Sequence, residues 1–234
     1  MSKAFDSYSK YLSLKQAIAF KVRGYDAQAL LLKDLLYVVY GKTKVPRFTL
    51  RNYIRQLFTR YQYDALLPLA RQHEIVLTVL QDRPDHREFM EKISRKVNNA
   101  VIFSNAGIEL HPIRIFSFRN IAVVATALLS FATRKRFSWR EKLYFSLLLA
   151  QYLHTLHVLK DQFRPGNYKI KKFVAFNGPY GLDALLTAHF NSIGVPTYSI
   201  QHGIFYDYKL YVPYDIINYE FTLTDKILDR KSVV

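Results

Sequence analysis

The chain has 234 residues, half of them hydrophobic and 15% aromatic, which suits a globular protein with a sizeable core and excludes a disordered one. Against 18 acidic side chains stand 34 basic ones, a formal charge of +16 that points to a polyanionic partner: nucleic acid, anionic lipid headgroups or a phosphorylated or sialylated substrate. Cysteine is absent, so disulfides and cysteine-ligated metal are excluded.

The first residues, to Gln16, lack an apolar core of signal-peptide length, and cytoplasmic residence is expected. Tyr11 to Phe20 and Ala27 to Tyr40 repeat apolar residues at helical spacing on either side of Arg23-Gly24-Tyr25. Gly41 to Pro46 is a loop by composition. Phe48 to Tyr61 predicts a helix with an apolar stripe (Leu50, Tyr53, Ile54, Leu57, Phe58, Tyr61) and a basic side carrying Arg47, Arg51, Arg55 and Arg60. Such a helix can contact an anionic membrane or polyanion, although solvated arginines on an ordinary surface helix give the same pattern.

Glu74 to Leu80 is the first strand signal. A polar stretch with Asp85 and His86 follows, then a polar helix over Arg87 to Val97 and a second strand, Ala100 to Phe103, ending in Ser104-Asn105. Asp85-His86 and Ser104-Asn105 would therefore lie at carboxyl ends of strands, where ligands bind in open parallel sheets. An Asp or His there can act as general base toward an acceptor hydroxyl. The plainer role for Asp85 is a cap on the helix that follows.

Ile121 to Phe131 is apolar almost without interruption, between Arg114 and Arg119 on one side and Arg134-Lys135-Arg136 on the other. A bilayer takes about 20 residues to cross, so the stretch is too short to span one. It is expected to be a buried core helix, and its basic flanks would also allow a membrane interface. Ser138 to Glu141 has the form of a capping box opening a helix to about Lys160. His154 and His157 lie three apart on it, but no third ligand stands at metal-site spacing, and no metal is expected.

The rest of the chain is organised around Lys171 to Tyr208. Phe173 to Phe176 reads as a buried strand, Asn177 to Gly181 as a turn dense in helix breakers, and Leu182, Leu185, Leu186, Phe190 and Ile193 as one helical face. Gly194 and Pro196 stop that helix, and Thr197 to Ile200 is a second strand ending in Gln201-His202-Gly203. Strand, glycine turn, helix, strand is a βαβ unit with a parallel sheet. If its strands are neighbours, Asn177, Gly178 and Gly181 share one rim with Gln201, His202 and Gly203, and the glycines let a ligand approach the backbone. Tyr219 to Thr224 reads as a further strand. No phosphate-binding loop, dinucleotide fingerprint or nucleophile elbow is present, which makes the usual ATPases, NAD enzymes and serine hydrolases poor fits.

The fold expected is α/β: a Rossmann-like parallel sheet flanked by helices over residues 71–234, with a helical insertion at 112–162, after a basic helical region at 1–70. Gly-Val-Pro-Thr-Tyr-Ser-Ile-Gln-His-Gly and the helix before it resemble the end of the N-terminal domain in bacterial surface-polysaccharide glycosyltransferases of the GT-B type. These include capsule and lipopolysaccharide transferases, polysialyltransferase-like enzymes and the glycerophosphotransferases of teichoic acid synthesis. The resemblance covers about Phe173 to Tyr208. It implies the N-terminal half of a GT-B fold, a nucleotide-sugar donor as substrate, no resident cofactor and a glycan acceptor. In that picture His202 acts as a base or as a donor to phosphate oxygens, Gln201, Asn177, Gly178 and Gly203 position ligand, and the basic helices hold the protein on the anionic inner membrane. The family's second Rossmann-like domain, which holds most of the donor, has no counterpart before Val234, so an acceptor-side domain working with another domain or subunit is expected. The alternative is a non-catalytic binding module for an anionic polymer: glycan, lipid surface or nucleic acid. No RNA-binding signature supports the last.

Overall fold

The structure is a computed structural model and describes residues 3–41, 51, 54–55, 59–61, 63–79, 84–104, 110–112, 117–176, 181–200 and 224–228. Helix α1 (Lys3–Ala17) starts well before Tyr11. The break predicted at Arg23-Gly24-Tyr25 is a small antiparallel hairpin of β1 (Lys21–Val22) and β2 (Tyr25–Asp26). Its two turn residues, Arg23 (φ 51°) and Gly24 (φ 87°), are both left-handed, as a two-residue hairpin turn demands. The Asp26 carboxylate then caps α2 (Ala27–Val39), accepting from the backbone N–H groups of Gln28 and Ala29 at 2.9 and 3.4 Å. Residues 59–61, expected as the end of a helix, are instead the strand β3 (Thr59–Tyr61), a β-branched and aromatic run that pairs with β6 (Leu110–Pro112).

Between these come α3 (Leu66–Gln72), β4 (Ile75–Val79), α4 (Pro84–Lys96) and β5 (Ala100–Ser104). After them run α5 (Phe118–Ala132), α6 (Trp139–Gln162), β7 (Lys172–Ala175), α7 (Gly181–Ser192), β8 (Thr197–Ile200) and β9 (Lys226–Leu228). The expected strand at Tyr219 to Thr224 lies outside the described residues except for Thr224; the last described strand is β9.

The chain divides into two units. One draws on residues up to Arg60 and on Leu110–His154; the other draws on Tyr61–Glu109, Thr155–Ile204 and Thr222–Val234. The first unit is helical. Its core gathers Tyr11, Leu31 and Leu35 with an aromatic cluster around Phe131, whose ring lies 5.8 Å from Phe20, 5.6 Å from Phe137 and 6.0 Å from Phe145. The capping box at the head of α6 forms as its spacing predicts. The Ser138 N–H donates to Glu141 Oε2 at 2.8 Å, and the Glu141 N–H donates to Ser138 Oγ at 3.3 Å. Asp34 accepts from the Tyr152 hydroxyl at 2.7 Å, and burial, outweighing that bond, raises its carboxyl to about 6. Burial also lowers the adjacent Lys33 to about 7, against the pull of Asp34.

Helix α5 departs from expectation. A core helix was predicted, yet only Val123, Ala127 and Phe131 are fully buried, while Ile121, Leu128 and Leu129 on the other side are exposed. An apolar run defines a core helix only when neighbours stand on both sides of it, and among the described residues they stand on one.

The second unit is the α/β part. Its sheet has the order β5-β4-β7-β8-β9, and every neighbouring pair is parallel. Both faces are covered. Leu77, Val79, Val174 and Phe176 pack with Met90 of α4 on one face. On the other, Phe173 lies 4.8 Å from Phe190 of α7. From β4 the chain crosses to β5 in one direction over α4, and from β7 to β8 in the opposite direction over α7, so the two crossovers share one hand. Gly194 (φ 76°) ends α7, and the Val195 N–H returns to the Phe190 carbonyl at 3.0 Å. Thr197 ties β8 to β9: its N–H donates to the Asp225 carboxylate at 2.8 Å, and its hydroxyl accepts from the Asp225 N–H at 3.1 Å. The expected α/β class and Rossmann-like parallel sheet are therefore present.

Candidate functional site

In order of appearance the five strands run 2-1-3-4-5 across the sheet, a doubly wound arrangement. The first and third of them, β4 and β7, are neighbours whose connections depart to opposite faces. Such a switch point leaves a crevice outside the two carboxyl ends, because neither following helix closes over it.

Three features meet at that crevice. Helix α4 begins with Pro84, whose missing N–H costs nothing at the first helical position. Asp85 follows, inside the first turn and not at the cap position read from the sequence, with its side chain 61% exposed. His86 comes next. Its ring stacks on Phe176, at the end of β7, with centroids 4.0 Å apart and planes 27° from parallel. That stack spans the switch point and fixes the imidazole plane. Nε2 of His86 lies 3.8 Å from Asp85 Oδ2, near enough for electrostatic coupling but beyond a hydrogen bond. Exposed pairs such as Lys92–Glu88 at 2.8 Å lie farther along α4.

Helix α7 begins at Gly181, on the same side of the sheet ends, and carries Asp183 in its first turn. Asp183 is fully buried. Burial, together with Tyr61 and Asp183, pushes the neighbouring Tyr63 phenol well above its ordinary range. Each of the two helices that start at the rim thus has its own carboxylate in the first turn, where the macrodipole favours an anion. An exposed carboxylate such as Asp85 repels a second anion. It is better placed to accept a proton from a hydroxyl.

The rim predicted from β7 and β8 has its frame. Those strands are parallel neighbours with Ala175 opposite Ser199, so the chain leaves adjacent strand ends toward Asn177 and toward Gln201. Asn177, Gly178, Gln201, His202 and Gly203 themselves lie outside the described residues, as do Asn105, which follows edge strand β5, and Arg47. Arg51 and Arg55 are exposed. What sequence reasoning passed over is the β4–β7 adjacency and the stacked His86. An aromatic residue ending one strand and a histidine opening the helix after another were the available signal, but strand order is not written in either.

A groove of about 360 Å³, lined by Ile75, Leu77, Ile93 and Val174 with Lys96 and Lys172, lies toward the amino ends of β4 and β7. It is at the wrong end of the strands for the switch-point site. Among the described residues no group of three or more His, Asp or Glu side chains gathers as a metal site, and no helix is long and apolar enough to cross a membrane. Compared with protein-family models, curated protein sequences and solved structures, the chain matches none of them.

Proposed function

We propose that the protein is a glycosyltransferase-like component of surface-polysaccharide synthesis. It would bind a glycan acceptor at the β4–β7 switch point for transfer of a sugar from a nucleotide-activated donor. The observation that carries this reading is Asp85 beside His86, whose ring stacks on Phe176, at the carboxyl edge of a doubly wound parallel sheet. Asp85 is the base toward the acceptor hydroxyl, and His86 orients the acceptor beside it. His202 and Gln201, which follow the neighbouring strand β8, are assigned to the leaving diphosphate. An Asp-bearing edge favours the acceptor side of such an enzyme. The donor would then be held mainly by a second GT-B domain or subunit, and the basic surface would keep the protein on an anionic membrane. A non-catalytic binder of anionic polymer is the second reading, favoured by the +16 charge and disfavoured at this edge by its carboxylates.

The test is turnover of CMP-, UDP-, GDP- and CDP-activated sugars with a soluble glycan acceptor, together with any partner subunit. Removing a positioned base costs typically 10² to 10⁴ in rate, so Asp85→Asn should lower kcat at least about 100-fold with the donor KM unchanged. Turnover equal to the parent in both Asp85→Asn and His202→Ala, or salt-sensitive binding to nucleic acid with no donor use, would sink the reading.

A further inference from the structure

A helix that is apolar all round belongs inside a protein, and α5 does not lie inside one. Opposite its buried Val123, Ala127 and Phe131 it presents Phe118, Ile121, Leu128 and Leu129, which are 87, 56, 41 and 71% exposed. At 3.6 residues per turn these four fall on one stripe with the exposed Ala125 and Ala132, and the stripe is about 21 Å long. The next helix opens with Trp139, the sole tryptophan of the chain and 64% exposed, with the Arg140 guanidinium 5.4 Å from its ring.

The charges that flank α5 along the chain are of one sign, although one of them, Arg134, lies on the packed side, 4.5 Å from the Phe20 ring. Between Ser117 and Lys142 the chain carries Arg119, Arg134, Lys135, Arg136, Arg140 and Lys142 against a single carboxylate. That carboxylate, Glu141, is already taken up by Ser138 and by Lys10 at 3.6 Å. Arg136 is held by the Ser13 carbonyl at 2.8 Å, and Lys142 by the carbonyl of Ala132, the last residue of α5, at 2.8 Å.

The occupant must accept leucine and phenylalanine along one line and cations at its border. A second copy of the same face would set these cations against each other. Nucleic acid offers phosphates but nothing for the stripe. A bilayer with anionic headgroups offers both, with acyl chains for the stripe, phosphates for the cations, and a headgroup level where tryptophan settles.

We propose that the exposed face of α5, with Trp139 and its adjoining cations, is the surface by which the protein lies on an anionic membrane. The proposal rests on the membrane-surface part of the functional reading and names the element responsible. The helix lies along the interface, its stripe entering the acyl boundary and Lys135 and Arg140 meeting phosphates.

Trp139 supplies the probe. The protein is titrated with vesicles of phosphatidylcholine plus phosphatidylglycerol, and with phosphatidylcholine alone, while tryptophan emission and co-sedimentation are followed. Mixed vesicles should shift the emission to the blue and sediment the protein, and neutral vesicles should do much less. Burying one leucine contributes about 1.5–3 kcal/mol, so Leu129→Glu should weaken partitioning at least about tenfold. Lys135→Gln and Arg140→Gln should each weaken it about fivefold. Leu129→Ser, uncharged at the same exposed position, should weaken it in the same direction. Sedimentation with mixed vesicles that Leu129→Glu leaves unchanged would overturn the assignment to α5 while leaving membrane binding in place. No binding to mixed vesicles, with a dimer that Leu129→Glu dissociates, would overturn it in favour of self-association. Because no donor or acceptor enters this assay, its failure is separate from loss of sugar transfer.

Discussion

Helices α5 and α7 are composed alike, each rich in Leu, Ala and Phe, and they end in opposite circumstances. α7 sinks nearly everything it has. Ala184, Leu185, Leu186 and Phe190 are at most 2% exposed, and so are the polar Asp183, Thr187 and His189. α5 leaves four large apolar side chains in contact with solvent. Hydrophobicity therefore does not decide which helix becomes core; the presence of neighbours on each side does. The polar residues that α7 carries into its interior are a cost of that position, and the apolar residues that α5 keeps outside point to a use.

The largest expected effect tests the buried side of this contrast. Phe190 lies 4.8 Å from Phe173 and 5.4 Å from Phe163, and truncating a buried phenylalanine costs about 3–5 kcal/mol. Urea unfolding of Phe190→Ala should show a loss of that size.

A slightly smaller effect comes from His189, which is fully buried. Neither ring nitrogen has a hydrogen-bond partner among the described residues, and burial, with Lys160 nearby, lowers it from 6.5 to about 4. Its folded value lies below its unfolded one, so the unfolded chain binds the extra proton between those limits. The neutral ring's contribution is complete above pH 6.5 and is lost as pH falls toward 4. At about 1.4 kcal/mol per unit the loss is roughly 3 kcal/mol, so the stability of the parent relative to His189→Phe should fall by about that much between pH 6.5 and 4. A parent–variant difference that does not change with pH would mean that the ring meets water.

The smallest effect tests the exposed side. Leu129→Ala should change stability by less than about 0.5 kcal/mol, as surface substitutions do. A loss like that of Phe190→Ala would break the comparison, because the α5 face would then be packed against something in the folded chain.

Much of the second unit was legible in the sequence. The strands at Glu74–Leu80, Ala100–Phe103, Phe173–Phe176 and Thr197–Ile200, the helix from Leu182 and its stop at Gly194 all lie within a residue or two of their places, because period and breakers are local signals. The capping box at Ser138–Glu141 is equally local. Strand order is not. That β4 lies beside β7 depends on which edges pair across nearly a hundred intervening residues, about which neither strand carries a mark. For the same reason His86 could be placed at a strand end but not against Phe176. The misread of α5 has a related origin, since periodicity reports an apolar face and not what covers it.

The burial of Asp34 carries a further consequence when set beside that of His189. Asp34 holds its proton in the folded chain up to about pH 6, where an unfolded aspartate has released it by about 3.8. Unfolding at mildly acid pH therefore expels a proton from the first unit and draws one into His189 of the second. The two exchanges run in opposite directions over nearly the same interval, so they leave little net trace on a global titration. The joint contribution of these two groups to the buffer dependence of a calorimetric unfolding enthalpy is therefore small, although both have changed charge.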